Sequence, residues 1–308
     1  MPTPQATPPL VLTFAGSDPT GGAGMQADLM TIASLGCHGL SVITAITVQD
    51  SERVEAVDAV DSGWVEDQAR QVLEDMRVAV FKVGLIGSVE NVSVIAEVVS
   101  DYPDIPLILD PVLAAGNGDE LANNAIIAAI RELLIPQATV ITPNSIEARR
   151  LVAGLLDDEE PTLEACAFKL LTLGCEYVLV TGTHENTAQV VNWLYGPVAA
   201  HGPLAAHGPL AAHAPGNDDI DTDSDREYAA GLVRSDAWTR LPGSYHGSGC
   251  TLAAAIAALL ANGQVVAEAV REAQEYTWNT LKYGFRPGMG QFIPDRFFWA
   301  RRIDGNDA

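Results

Sequence analysis

Short apolar runs alternate with longer amphipathic ones along this chain, and that rhythm restricts the fold more than any other feature. Leu10–Ala15, Ser41–Val48, Val80–Val83, Leu107–Leu109, Thr139–Ile141 and Tyr177–Val180 read as strands, most of them apolar enough to be buried on both faces. Between them Gly24–Leu35, Gly63–Met76, Val89–Val99, Asn123–Leu134, Ser145–Ala153 and Leu163–Leu173 read as helices. Thr251–Ala261 follows as an Ala/Leu-rich buried helix closed by Gly263, then Val265–Tyr283 as an amphipathic one. This order predicts an α/β fold, a mostly parallel central sheet with helices on both faces in three layers. Its 308 residues are 48% hydrophobic with no shift of composition between halves, which predicts one domain spanning 1–308. In such sheets ligands collect beyond the carboxyl ends of the strands, so the chemistry is sought there.

Charge narrows the partners. Forty acidic against 17 basic side chains leave a formal charge of −23, which repels nucleic-acid phosphates and anionic lipid. Lysine is confined to Lys82, Lys169 and Lys282; such a surface suits either a salty cytoplasm or ordinary solubility. Cys37, Cys166, Cys175 and Cys250 form no CxxC pair and have no metal spacing with histidine. Met1–Pro9 has neither the basic nor the apolar stretch of a signal peptide, and no apolar run is long enough to cross a bilayer. The expectation is a reduced, cytoplasmic protein. One stretch, near 198–226, repeats His-Gly-Pro-Leu-Ala-Ala and then runs into acids. It reads as a flexible insertion between two edge strands, Gln189–Tyr195 and Tyr228–Val233.

Three constellations carry chemistry. Ser244-Tyr-His-Gly-Ser-Gly-Cys-Thr opens the buried helix, so the backbone N–H groups of Gly247, Ser248 and Gly249 converge on an anion, with the helix dipole in support. Cys250 falls in the first turn, where the dipole favours thiolate. Asp110 ends one strand, and Asn144 and Glu147 open the helix after the next; these hard oxygens suit Mg²⁺ on nucleotide phosphates. The first loop, Gly16 to Gly24, also contains the spacing of a relaxed dinucleotide fingerprint, with Asp50 as its ribose acid. Six residues, Gly16 to Gly21, nevertheless separate the strand from that spacing, which suits a loop wrapped around a small ligand instead. No lysine has Walker A context, which excludes a P-loop kinase.

Ala15 to Asp28, Ile46 to Gln49, Lys82-Val-Gly84, Asp110-Pro-Val112, Thr142-Pro-Asn144 with Glu147, and Tyr245 to Thr251 together resemble hydroxymethylpyrimidine/phosphomethylpyrimidine kinase of thiamine biosynthesis. The resemblance spans roughly residues 10 to 295 outside the histidine-rich stretch. It implies a ribokinase-like fold and a homodimer that uses ATP and Mg²⁺ to phosphorylate first the free pyrimidine and then its monophosphate. By the same resemblance Gly16, Asp28, Gln49 and Val112 line the substrate pocket, and Asn144, Thr181 and Gly182 meet the nucleotide. Asp110 and Glu147 hold the metal, and Cys250 takes the proton of the substrate hydroxyl. A carboxamide such as Gln49 offers a donor and an acceptor to a ring nitrogen and its amino neighbour. Many relatives have Lys-Gly-Gly-His where this chain has Thr181-Gly-Thr-His184, so a cation near the phosphates is missing unless Arg286 reaches in. Pyridoxal kinase and a non-catalytic pyrimidine-binding protein are the alternative readings.

Overall fold

The structure, a computed structural model, describes residues 7–114, 118, 120–199 and 228–303. In chain order its strands are β1 (Leu10–Ser17), β2 (His38–Gln49), β3 (Val54–Ala59), β4 (Val78–Val83), β5 (Leu107–Leu109), β6 (Val140–Ile141), β7 (Tyr177–Thr181), β8 (Gln189–Ala199) and β9 (Tyr228–Thr239). The helices are α1 (Gly24–Ser34), α2 (Ser62–Asp75), α3 (Val89–Ser100), α4 (Asn124–Ala129), α5 (Ser145–Val152), α6 (Leu163–Thr172), α7 (Ser248–Ala261) and α8 (Val266–Lys282). All nine strands form one sheet in the order β3-β2-β1-β4-β5-β6-β7-β8-β9. The pairs from β2 through β7 are parallel, while β3 at one edge and β8 and β9 at the other run antiparallel.

Each face of the sheet has its own core. Leu12, Phe14, Phe81, Leu107 and Leu109 pack on the side of α2 to α6, whereas Val11, Val80, Ile108, Val140 and Leu179 pack beneath α7 and α8. Every residue of α7 from Thr251 to Leu259 is buried, which is why it reads as apolar all round. This is the expected three-layer α/β arrangement.

Four local expectations change. β3 was not expected: Val-Glu-Ala-Val-Asp-Ala is too polar to read as a core strand, and it lies at the sheet edge with no residue fully buried. The helix expected over 123–134 is α4 followed by a π turn at Ile130–Leu134 and a 3₁₀ turn at Ile135–Gln137, where Pro136 supplies no N–H for an α ladder. β8 is interior rather than an edge, because β9 pairs along its whole length. Finally, β8 continues to Ala199, past the expected start of the insertion near 198–226; residues 200–227 lie outside the described residues.

Ala199 pairs directly with Tyr228, so the chain leaves and re-enters the sheet at adjacent positions. Deleting His201 to Asp223 should therefore leave the melting temperature and activity nearly unchanged. A deletion product that fails to fold would show that this stretch packs against the sheet.

Candidate active site

Strand periodicity builds the floor of the site. Two residues beyond the apolar layer of Val11, Val80, Ile108, Val140 and Leu179, the same strands present Thr13, Lys82, Asp110, Thr142 and Thr181, all buried. A polar layer thus lies at the carboxyl edge, facing the N-terminus of α7. A cavity of about 510 Å³ opens above it. Gly16, Gln49 and Val112 line one part, Asp110, Asn144, Glu147 and Thr181 another, and Gly247, Ser248, Gly249 and Cys250 the helix entry. Two expected residues are elsewhere. Asp28 is fully buried in α1, bonded to Lys82, and does not reach the cavity. Gly182 is also outside the lining: its N–H donates to Asn192 Oδ1 at 3.1 Å, and a Cβ there would meet the Val191 carbonyl at 2.2 Å.

The turn into α7 depends on Gly247, whose φ of 80° is left-handed. A Cβ on it would fall 2.0 Å from the Gly22 carbonyl, so the turn and the first loop are in backbone contact. Among the described residues no side chain caps α7, which leaves first-turn N–H groups for a ligand. Side chains tie the two loops further. Asp18 accepts from Ala23 N at 2.7 Å and meets His246 Nε2 at 2.9 Å. Arg296, nearly inaccessible, donates to the Gly22 carbonyl at 2.6 Å and to Thr251 Oγ1 at 3.1 Å.

Burial dominates the electrostatics. Asp110 is pushed up to about 6 by burial, against the pull of Lys82 and with the help of Asp28. Glu147 rises to about 8 through burial and the nearby Asp110. Cys250 departs from expectation: burial lifts its thiol to about 12, although Lys82 pulls it down, because Asp110 and Asp28 add negative charge around it. The helix dipole therefore does not yield a resting thiolate. Lys82 is penalised by burial too, but Asp28 and the neighbouring anionic groups hold it charged, above the usual lysine range.

The residues fit a magnesium ion. Among the described residues Asp110 Oδ2 is buried without a hydrogen-bond partner, an unmet need that a cation satisfies. Glu147 is already engaged, accepting from Leu113 N at 3.3 Å and from Asn144 N at 3.0 Å in a capping box with Asn144. Among the described residues no group of three or more His, Cys, Asp or Glu gathers around one point. One carboxylate with an unmet oxygen and one that is fully engaged suit an ion that keeps water and takes most of its oxygens from phosphates.

Residues 18–206 and 211–295 match the family model described as phosphomethylpyrimidine kinase. The chain belongs to that family. It is accordingly a kinase, a phosphotransferase. A hydroxymethylpyrimidine/phosphomethylpyrimidine kinase of Streptomyces coelicolor is 38% identical over 293 residues, covering 94% of each chain. Among solved structures, the phosphomethylpyrimidine kinase of Clostridium difficile 630 is 29% identical with a TM-score of 0.65, covering 87% of this chain and 97% of that one. An ADP complex of Bacillus subtilis pyridoxal kinase is 26% identical with a TM-score of 0.73, covering 96% and 100%. The dinucleotide reading falls away. Asp50 is spent on its own turn, accepting from Glu52 N and Arg53 N at 2.8 and 3.0 Å.

Within this kinase the other end of the cavity holds residues that sequence reasoning missed. Arg286 is not in the lining; it bonds the carbonyls of Met289 and Gly290. The basic residue of this end is Arg240, whose guanidinium donates to the carbonyls of Thr183, Glu185 and Thr187 at 2.8 to 2.9 Å. Asn192 and Trp238 both donate to Gln274 Oε1, at 2.8 and 3.1 Å, giving a polar network against the same wall. His246 stood within the quoted motif without a role. Lys82 had a visible signal, a lysine inside the apolar run Val78–Val83, but its partner is on α1.

Binding a cation must expel the protons that burial places on Asp110 and Glu147, with values of about 6 and 8. Mg²⁺ affinity measured by titration calorimetry should tighten by roughly tenfold or more as pH rises from 6 to 8. An affinity independent of pH over that span would remove these carboxyls from the metal site.

Proposed function

We propose that this protein uses ATP and Mg²⁺ to phosphorylate 4-amino-5-hydroxymethyl-2-methylpyrimidine and then its monophosphate, giving the pyrophosphate for thiamine biosynthesis. The observation that carries the reading is one cavity holding both Gln49 and the Gly247–Cys250 turn, with Asp110 in the same wall. Family membership and the 38% identical kinase of Streptomyces coelicolor support it. The protein acts as one catalytic unit, in the cytoplasm, and as a homodimer. Ile46 and Val48, each 56% exposed on β2, are apolar residues that a second copy would cover.

Gln49 recognises the ring. One of its amide N–H groups donates to Thr47 Oγ1 at 2.8 Å, and Thr47 in turn donates to the Ser17 carbonyl at 2.9 Å. That chain fixes the carboxamide and leaves its oxygen and second N–H for a ring nitrogen and the adjacent amino group. The first-turn amides of α7 receive the phosphates with the helix dipole behind them. Asp110, with Glu147 next to it, would hold Mg²⁺, which supplies charge neutralisation for the phosphates. In the first reaction the hydroxymethyl oxygen bonds the γ-phosphorus while the bond to the bridging oxygen breaks, and ADP departs with that electron pair. Cys250, a thiol at rest, first releases its own proton to solvent; the thiolate, stabilised by the neighbouring Lys82, then takes the hydroxyl proton. In the second reaction the nucleophile is a phosphate oxygen, largely ionised at neutral pH, and it needs no base.

A pyridine alcohol is the second reading, favoured by the TM-score of 0.73 against pyridoxal kinase. A coupled assay with ATP and Mg²⁺ on the pyrimidine, its monophosphate and pyridoxine separates the two. The pyrimidine pair should give kcat/KM values well above that of pyridoxine, and the reverse order would overturn the assignment. Gln49→Leu should weaken pyrimidine binding by about 1–3 kcal/mol, since the ring edge loses its partners; unchanged affinity rejects the pocket. Cys250→Ala should slow phosphorylation of the alcohol on the order of a hundredfold or more and that of the monophosphate far less. Equal losses on both substrates would assign Cys250 a structural part.

A further inference from the structure

Lys82 has the surroundings of a working cation. Its side chain is 0% exposed, yet it forms part of the cavity wall. Its single hydrogen bond among the described residues goes to Asp28 Oδ2 at 2.9 Å, the oxygen that also accepts from Thr13 Oγ1 at 2.6 Å. An ammonium carries three N–H donors, so two remain at the wall of a cavity shared with Asp110 and Cys250. Gly84, two residues on, keeps the space clear: a Cβ there would stand 2.6 Å from Lys82 Nζ. A buried ion pair is weak evidence of stabilisation, because apolar side chains of similar volume replace such pairs at little loss. A pair that leaves two donors unmet is poorer still as a structural device. The arrangement makes sense where a second anion comes and goes.

We propose that Lys82, held upright by Asp28 and Thr13, is a catalytic residue that donates to the phosphoryl group during its passage between oxygens. The inference rests on the kinase reading above and adds a component to it. As the bond from the substrate oxygen to phosphorus forms and the bond to the bridging oxygen of ATP breaks, charge spreads over the three peripheral oxygens. The bridging electron pair leaves on ADP, the hydroxyl proton goes to Cys250, and Lys82 keeps its own protons throughout. A fixed, buried ammonium stabilises that charge more than it stabilises bound ATP. Lysine suits the task as a compact point charge, where arginine's broad fork would not fit beside Gly84.

The test removes the pair together, because Lys82→Met alone strands the buried Asp28 charge and threatens folding. The double variants Asp28→Leu/Lys82→Met and Asp28→Asn/Lys82→Gln lose both charges, and either one that folds serves. Expected are a circular dichroism spectrum and KM values close to native, unchanged affinity for a non-hydrolysable ATP analogue, and kcat lower by about a hundredfold or more. Binding of ADP with aluminium fluoride and Mg²⁺, a mimic of the phosphoryl group in flight, should weaken in parallel. Native kcat and native affinity for that mimic in a folded double variant would reduce Lys82 to a counter-ion and overturn the proposal. The ratio of native to variant turnover is taken on whichever alcohol the native protein phosphorylates, so a wrong pyrimidine assignment and a wrong role for Lys82 fail separately.

Discussion

The backbone contact between Gly22 and Gly247 sets the geometry of everything above the sheet. With no Cβ at 247, the turn into α7 presses directly on the loop that follows β1, and the loop that encloses one ligand braces the turn that cradles the other. The residues around the contact reinforce it in different chemical ways. Asp18 and His246 join the loops across 228 positions of sequence, and Arg296 brings the C-terminal segment to both. A phosphoryl donor and its acceptor must meet in line within a few ångströms, and their walls are here one body.

The parts legible in the sequence are those whose chemistry is local. The strand and helix rhythm gave the layers, since periodicity is decided within each segment. Gly-Ser-Gly-Cys at a helix start was readable because the convergence of N–H groups is a property of that turn alone. Asp110 and the Asn144–Glu147 cap were readable as residues just past strand ends. Relations across elements were not readable. Asp28 belongs to the Gly-rich first motif, but its partner Lys82 lies on a strand 54 residues away, and only the fold brings the pair together. Arg240 follows the end of β9 and carries no local signal of the 183–187 turn that it binds. β3 escaped because an edge strand has no buried face to show in its pattern.

Cys250 illustrates the competition between local and distant effects. Its place in the first turn of α7 argues for thiolate, and that argument is sound for an exposed helix end. Here burial penalises the thiolate first, Asp110 and Asp28 add to that penalty, and together they outweigh the dipole and the pull of Lys82. Three buried carboxyls, Asp28, Asp110 and Glu147, face one ammonium, Lys82, and a divalent cation offsets that excess of negative charge.

Arg240 has a consequence for the rim of the cavity. Its single guanidinium gathers three carbonyls of the 183–187 turn, a segment with no helix or sheet ladder of its own. A turn tied in this way has surrendered its conformational freedom during folding, so an arriving ligand has less entropy to remove. The cost of ordering that rim is thus borne once, when the chain folds, rather than at each catalytic cycle.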